Sequence, residues 1–105
     1  MSVQPKQRVD LMEVFYSPEA ELALIELSDW IEEQNTPGSG DRYFRRFVQK
    51  VKDFAIGTSQ YSLCHNEELR KIELRCIAID NWVVAFRIDN SVFRVYRILY
   101  GPSLE

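Results

Sequence analysis

The last third of the chain, residues 69–101, sets cations at intervals among aliphatic and aromatic side chains. Lys71, Glu73 and Arg75 alternate with Ile72, Leu74 and Cys76; Arg87, Arg94 and Arg97 follow, with Tyr96 and Tyr100 close by. Interspersed arginines can hold the charge of a phosphate or grip the carboxylates of a protein partner. The only histidine, His65, lies in a polar stretch; it is the general-base candidate, although a lone loop histidine is most often simply exposed. It adjoins Cys64, but one Cys-His pair is too few ligands for zinc, which takes four, or three plus water. No metal site and no cofactor is expected. The plainer reading of Lys71, Glu73 and Arg75 is a solvated strand face with cross-strand ion pairs, each contributing about 0–1 kcal/mol.

These residues need a scaffold, and the periodicity supplies one. Leu11 to Tyr16 is an apolar run too short for a helix and reads as a buried strand. Ser17-Pro18-Glu19 then opens a helix: serine can accept from first-turn amides, and proline fits the first helical position. Ala20, Ala23, Leu24, Leu27, Trp30 and Ile31 recur at three- and four-residue intervals and form its apolar stripe. Thr36-Pro37-Gly38-Ser39-Gly40 ends it. A second helix is expected from Asp41 to Ile56, with Phe44, Phe47, Val48, Val51 and Phe54 inward and an opposite face carrying Arg42, Arg45, Arg46 and Lys50, with Gly57 as its cap. From Leu69 the period changes to two. Three strands are expected, 69–77, 82–88 and 93–100, with turns at Asp80-Asn81 and Asp89-Asn90 and a stop at Gly101-Pro102. In the last strand Arg97 shares parity with Val95 and Leu99, so it should be half-buried beside an acid; Arg94, Tyr96 and Tyr100 share the other parity. Trp30 and Trp82 read as core.

The order is β-α-α-β-β-β, an α+β class: an antiparallel sheet with a helical hairpin packed on one face. The other face is then the candidate working surface, and Lys71, Glu73, Arg75 and Arg87 could share it. At 105 residues the chain reads as a single domain, 1–105, with residues 1–9 a polar, flexible N-terminus. Hydrophobic residues make up 46%, enough to exclude disorder. The net charge of −3 gives no overall pull toward nucleic acid, yet it is uneven: residues 1–68 carry −5 and residues 69–105 carry +2. Two cysteines do not suggest a disulfide scaffold, and Cys76, alternating with apolar residues, reads as buried filler. No run approaches the roughly 20 apolar residues that span a bilayer, and no signal peptide is evident, so a soluble cytoplasmic protein with no membrane partner is expected.

Three stretches together carry a resemblance: Phe15-Tyr16-Ser17-Pro18-Glu19-Ala20 running into a helix with Leu24, Leu27 and Ile31; Leu69-Arg70-Lys71-Ile72-Glu73-Leu74; and Phe86-Arg87-Ile88 through Val95-Tyr96-Arg97-Ile98-Leu99-Tyr100-Gly101. In order and spacing they resemble the RelE/ParE toxin superfamily of bacterial type II toxin–antitoxin (plasmid stabilisation) modules. The resemblance implies a toxin held inactive by a cognate antitoxin, as a homodimer or a toxin–antitoxin hetero-oligomer. RelE-like members cleave mRNA on the ribosome, whereas ParE-like members poison DNA gyrase by protein contact.

Cleavage by a 2′-hydroxyl needs a base, an acid and cations for the phosphorane charge. Carried over by position, Lys71 matches a meander lysine, but Glu73 stands where a second basic residue is often found. Val83, after Trp82, replaces an arginine, and Pro102-Ser103-Leu104-Glu105 supplies no further tyrosine. Arg97-Ile98-Leu99-Tyr100-Gly101 resembles the ParE "RVLHG" ending with tyrosine for histidine. The resemblance therefore implies a ParE-like gyrase poison that is not itself an enzyme, binding target or antitoxin through Lys71, Glu73, Arg75, Arg87, Arg94, Tyr96 and Tyr100. The alternatives are a ribosome-dependent mRNA endonuclease using Lys71, Arg75 and His65, and a non-toxic binding protein of the same fold.

Overall fold

The computed structural model describes residues 13–56 and 63–104. The expectations for residues 1–9, Leu11, the Gly57 cap and Glu105 lie outside them. The elements are β1 (Glu13–Tyr16), α1 (Pro18–Gln34), α2 (Ser39–Ile56), a short α3 (Glu67–Lys71), β2 (Arg75–Ile79), β3 (Trp82–Asp89) and β4 (Val92–Tyr100), closed by a 3-10 turn (Gly101–Leu104). The sheet order is β1-β4-β3-β2. The meander is antiparallel, but β1 runs parallel to β4, so the sheet is mixed rather than wholly antiparallel. The α1–α2 hairpin between β1 and the meander is the crossover that a parallel pairing requires.

Local chemistry explains the elements. Ser17 caps α1, accepting from the Ala20 amide at 3.0 Å, with Pro18 behind it. Both tight turns of the meander use left-handed backbone, at Asp80 (φ 56°) and at Asn90 and Ser91 (φ 49° and 65°); aspartate and asparagine tolerate it better than most residues. Ala20, Leu24 and Leu27 of α1 and Phe47, Val51 and Ala55 of α2 pack on Ile77, Ile79, Val84, Phe86, Phe93, Val95 and Ile98 of the sheet.

The two helices approach closely at Gly40, where a Cβ would fall 2.3 Å from the Ser28 carbonyl oxygen, so no larger residue fits without moving backbone. Beside it, Glu32 of α1 reaches across the turn. Its carboxylate accepts from the Gly38 and Gly40 amides, each at 2.8 Å, and so caps α2 from the neighbouring helix. Those amides, Gly38 first and Gly40 second, hold the Glu32 carboxyl below its ordinary range. A depressed carboxyl pKa stabilises the fold above the unfolded pKa and loses that contribution as pH falls through the folded one. Glu32→Gln is therefore expected to be less stable than the parent at pH 7, with the gap closing below the ordinary value of 4.5. Urea midpoints from pH 7 down to pH 3 measure it, and a gap independent of pH would refute the assignment.

The first meander strand begins later than the alternation of Leu69–Ile77 implies. Residues 67–71 form α3 instead. Asn66 caps it, accepting from the Leu69 amide at 3.1 Å, and Glu67 and Glu68 begin it while Arg70 and Lys71 end it, charges that suit the helix dipole. It stops in a Schellman arrangement: the Glu73 amide donates to Arg70 O and the Leu74 amide to Leu69 O, with Glu73 at φ 61°. Leu69 and Leu74 make the accompanying apolar contact.

A second departure is a β-bulge. Phe86 pairs with Val95 and Ala85 with Arg97, which leaves Tyr96 as the extra residue of β4. The bulge reverses the strand's parity beyond Val95. Ile98 is buried, and Arg97 is exposed rather than half-buried; it makes no hydrogen bond or ion pair among the described residues.

Trp30 also departs from expectation. It is 53% exposed, at the edge of the α1 stripe, and lines a small apolar cleft with Trp82 and Tyr100. Trp82 packs against the core as expected.

Candidate functional site

The sheet face turned away from the helical hairpin is built from alternate residues of three strands. Phe15 of β1 pairs in register with Arg94 of β4, which pairs with Arg87 of β3. The bulge adds Tyr96 and Arg97 to the same face. Two of the three arginines meet an aromatic ring. The Arg94 guanidinium lies 5.7 Å from the Phe15 ring centroid and its Nε 3.9 Å from Asp89 Oδ2. The Arg87 guanidinium lies 5.6 Å from the Tyr96 ring centroid and also donates to the Ile72 carbonyl. Arginine stacked on aromatic rings is the chemistry of protein interfaces, where Arg and Tyr are enriched among the residues that dominate affinity.

One end of this face is covered. The segment 63–74, which contains α3, folds over it, and Cys64, Leu69 and Leu74 pack on Ala85 with Cys76, Tyr96 and Leu99 as a second small core. Cys64 and Cys76 are joined as a disulfide with Cα atoms 4.9 Å apart. Cys76 is thus no mere filler. The spacing of 12 spans α3 and its turn, and the Cys64 amide donates to Leu74 O at 3.0 Å, so the chain returns to the sheet next to Cys76.

Of the residues singled out from sequence, Arg87, Arg94 and Tyr96 come together on this face. Lys71 is exposed at the end of α3, on the covering segment, not on a strand. Glu73 occupies the left-handed position that ends α3, so its place is set by the turn. Arg75 is exposed and shares strand parity with Ile77 and Ile79, which face the hairpin. Tyr100 also belongs to the hairpin side; its ring tilts at 60° against Trp82, centroids 5.2 Å apart. His65 is exposed and lines a cleft with Asn66, Cys76 and Val83. The nuclease candidates therefore sit on three different features: α3, the hairpin-side parity of β2, and the loop before α3. Sequence reasoning missed Phe15 and Arg97. The signal for Arg97 was present, since the apolar residues Val95 and Ile98 are three apart where an unbroken strand keeps two.

A separate polar knot ties α2 to the β2–β3 turn. The Tyr43 hydroxyl donates to Asp80 Oδ2 at 2.6 Å, and Lys50 lies 3.6 Å from Asp80 Oδ1. The tyrosine's hydrogen bond, and after it the lysine's charge, hold the Asp80 carboxyl below its ordinary value. Burial pushes the Tyr16 hydroxyl up to about 12, so it stays protonated at any working pH. Among the described residues no group of three or more His, Cys, Asp or Glu is placed to hold a metal ion, and no helix is long and apolar enough to cross a membrane.

Comparison with known proteins bears on this arrangement. Residues 14–102 match the family model of the ParE toxin of type II toxin–antitoxin systems, parDE. The chain belongs to the ParE toxin family. The match runs from β1 to the turn after β4, so it takes in the hairpin, the covering segment and the whole sheet. A solved structure described as the chromosomal ParDE TA system from P. aeruginosa shares the fold, with a TM-score of 0.65 at 15% identity over 87% of this chain and 97% of that one. No curated protein matches the chain by sequence. This ParE-family chain is thus a toxin of the type II class, and its outer face gathers Arg87, Arg94 and Arg97 with Phe15 and Tyr96.

Proposed function

We propose that this ParE-family toxin acts by protein contact on DNA gyrase and is neutralised by a cognate antitoxin that covers the same outer face. The observation that carries the reading is the cluster of Arg87, Arg94 and Arg97 with Phe15 and Tyr96 on one sheet face, in a chain whose β4 and following turn carry the ParE-like Arg97-Ile98-Leu99-Tyr100-Gly101. Cations backed by rings suit an acidic, partly apolar protein segment. Lys71, at the rim, would add to it. The proposed mechanism needs no proton transfer and no cofactor.

The test is a supercoiling assay with purified gyrase. Inhibition, or trapped cleavage complexes, is expected at micromolar toxin. Arg94→Glu with Arg97→Glu is expected to raise the inhibitory concentration at least tenfold, since like charge would meet the acidic partner. No effect on gyrase would sink the target assignment. Cleavage of mRNA on ribosomes that disappears in Lys71→Ala would replace it with the nuclease.

A further inference from the structure

The covering segment is fastened to the outer face by one covalent bond and a few weak ones. Cys64, 1% exposed, is bonded to Cys76, and between them lie α3 and its Schellman turn. Among the described residues, the other attachments include the Leu69 and Leu74 contacts, the Leu63–Arg75 bridge and the Arg87 bond to Ile72 O. α3 has only five residues, too short to persist without a tether. A cleft also borders Cys76. It has a volume of about 410 Å³ and is lined by His65, Asn66, Cys76 and Val83 among others.

We infer that Cys64–Cys76 is a reversible thiol switch that controls access to the outer face. The oxidised pair clasps segment 63–74 over Ala85 and Tyr96 and keeps Arg87 against Ile72 O. Reduction releases the clasp and frees Arg87. The reductant is a small or protein dithiol. Its thiolate attacks Cys76 Sγ from the cleft, the S–S bond breaks, and Cys64 leaves as a thiolate and takes up a proton. The second thiol of the reductant then displaces Cys76 from the mixed disulfide, so the reductant ends as a disulfide and the toxin as a dithiol. A cross-link closing a loop of this length restricts the opened state strongly. Losing it should raise local opening of the segment by one to two orders of magnitude while the main core, which lies on the opposite face, stays intact.

The experiment uses the full chain and no partner, so its outcome is independent of the gyrase reading. The protein is equilibrated with oxidised glutathione or with dithiothreitol, free thiols are counted by alkylation and mass, and two rates are followed. Amide hydrogen exchange across residues 63–74 is expected to rise ten- to hundredfold on reduction. Modification of Arg87 by phenylglyoxal is expected to rise severalfold, while Arg94, on the same face but away from the clasp, stays unchanged as the internal control. Cys64→Ser with Cys76→Ser should behave as the reduced chain under both conditions. Two free thiols after oxidation, or equal exchange and equal Arg87 modification in the two states, would overturn the proposal. A rise at Arg87 matched by Arg94 would mean general loosening and would overturn it equally.

Discussion

Phe86→Ala is expected to destabilise the fold by about 3–5 kcal/mol, the range for emptying a fully buried aromatic site. Phe86 is 0% exposed, and its ring stacks on Phe93 with centroids 4.3 Å apart and planes within 14°. It lies at the register step where β3 meets the bulge, opposite Val95. Nothing nearby can fill the hole cheaply, because Val84, Phe93 and Val95 are themselves fully packed and fixed by the sheet ladder. A chain of this size has a total stability of roughly 5–15 kcal/mol. The loss therefore takes a large share of it and should lower the melting temperature by roughly 15–30 °C. Urea titration measures it, with an unchanged slope showing that the unfolded state is not altered. Ile25→Ala is the control: Ile25 is 53% exposed on the outward side of α1, and its loss should stay within about 0.5 kcal/mol. A Phe86→Ala loss under about 1.5 kcal/mol would mean that the stack does not anchor the sheet.

Much of this architecture is legible in the sequence, because strong periodicity and capping chemistry agree. The α1 start at Ser17-Pro18, the stripes of both helices and the turns at Asp80-Asn81 and near Asn90 appear where their residue types require them. What misleads is alternation in a segment too short to decide. Lys71-Ile72-Glu73-Leu74-Arg75 alternates like a strand, but the Asn66-Glu67-Glu68 cap before it and the Arg70-Lys71 pair fit a helix better, and the cap wins. Glutamate in a left-handed position has no sequence signature, so the turn at Glu73 is visible only in three dimensions.

The site was half legible for a related reason. Arg87 and Arg94 are on strands whose parity runs undisturbed from the turn between them, so their shared face follows from counting. Past Val95 the counting fails, because one extra residue sends Arg97 out and turns Tyr100 to the hairpin side. The disulfide was unreadable because two cysteines 12 apart mean nothing until α3 folds the chain back on itself. A bulge and a cross-link are both tertiary events. Each depends on which strand lies beside which, and a one-dimensional period carries no such information.

The bulge is also where one hydroxyl has an effect out of proportion to its size. Ser17 Oγ accepts from the Ala20 amide at 3.0 Å and donates to the Tyr96 carbonyl at 2.7 Å, while the Ser17 amide donates to Val95 O at 2.9 Å. The hydroxyl thus caps α1 and partners the carbonyl of the extra residue in β4. Ser17→Ala removes the cap, about 1 kcal/mol, and leaves a part-buried carbonyl without its partner, about 1–3 kcal/mol more. A total loss of about 2–4 kcal/mol is expected from urea titration. Ser17→Thr keeps both roles and should stay close to the parent. Ser17→Asp separates them: a carboxylate still accepts at the cap but can only repel the Tyr96 carbonyl. We expect Ser17→Asp to be nearly as damaging as alanine, because the carbonyl contact carries the larger share. If Ser17→Asp matched the parent instead, Ser17 would be a helix cap and nothing more. The distinction reaches the outer face, since Tyr96 supplies the ring beneath Arg87 and the bulge directs Arg97. Untethering the Tyr96 carbonyl should loosen both arginines, so Ser17→Asp should raise phenylglyoxal modification of Arg97 where Ser17→Thr does not.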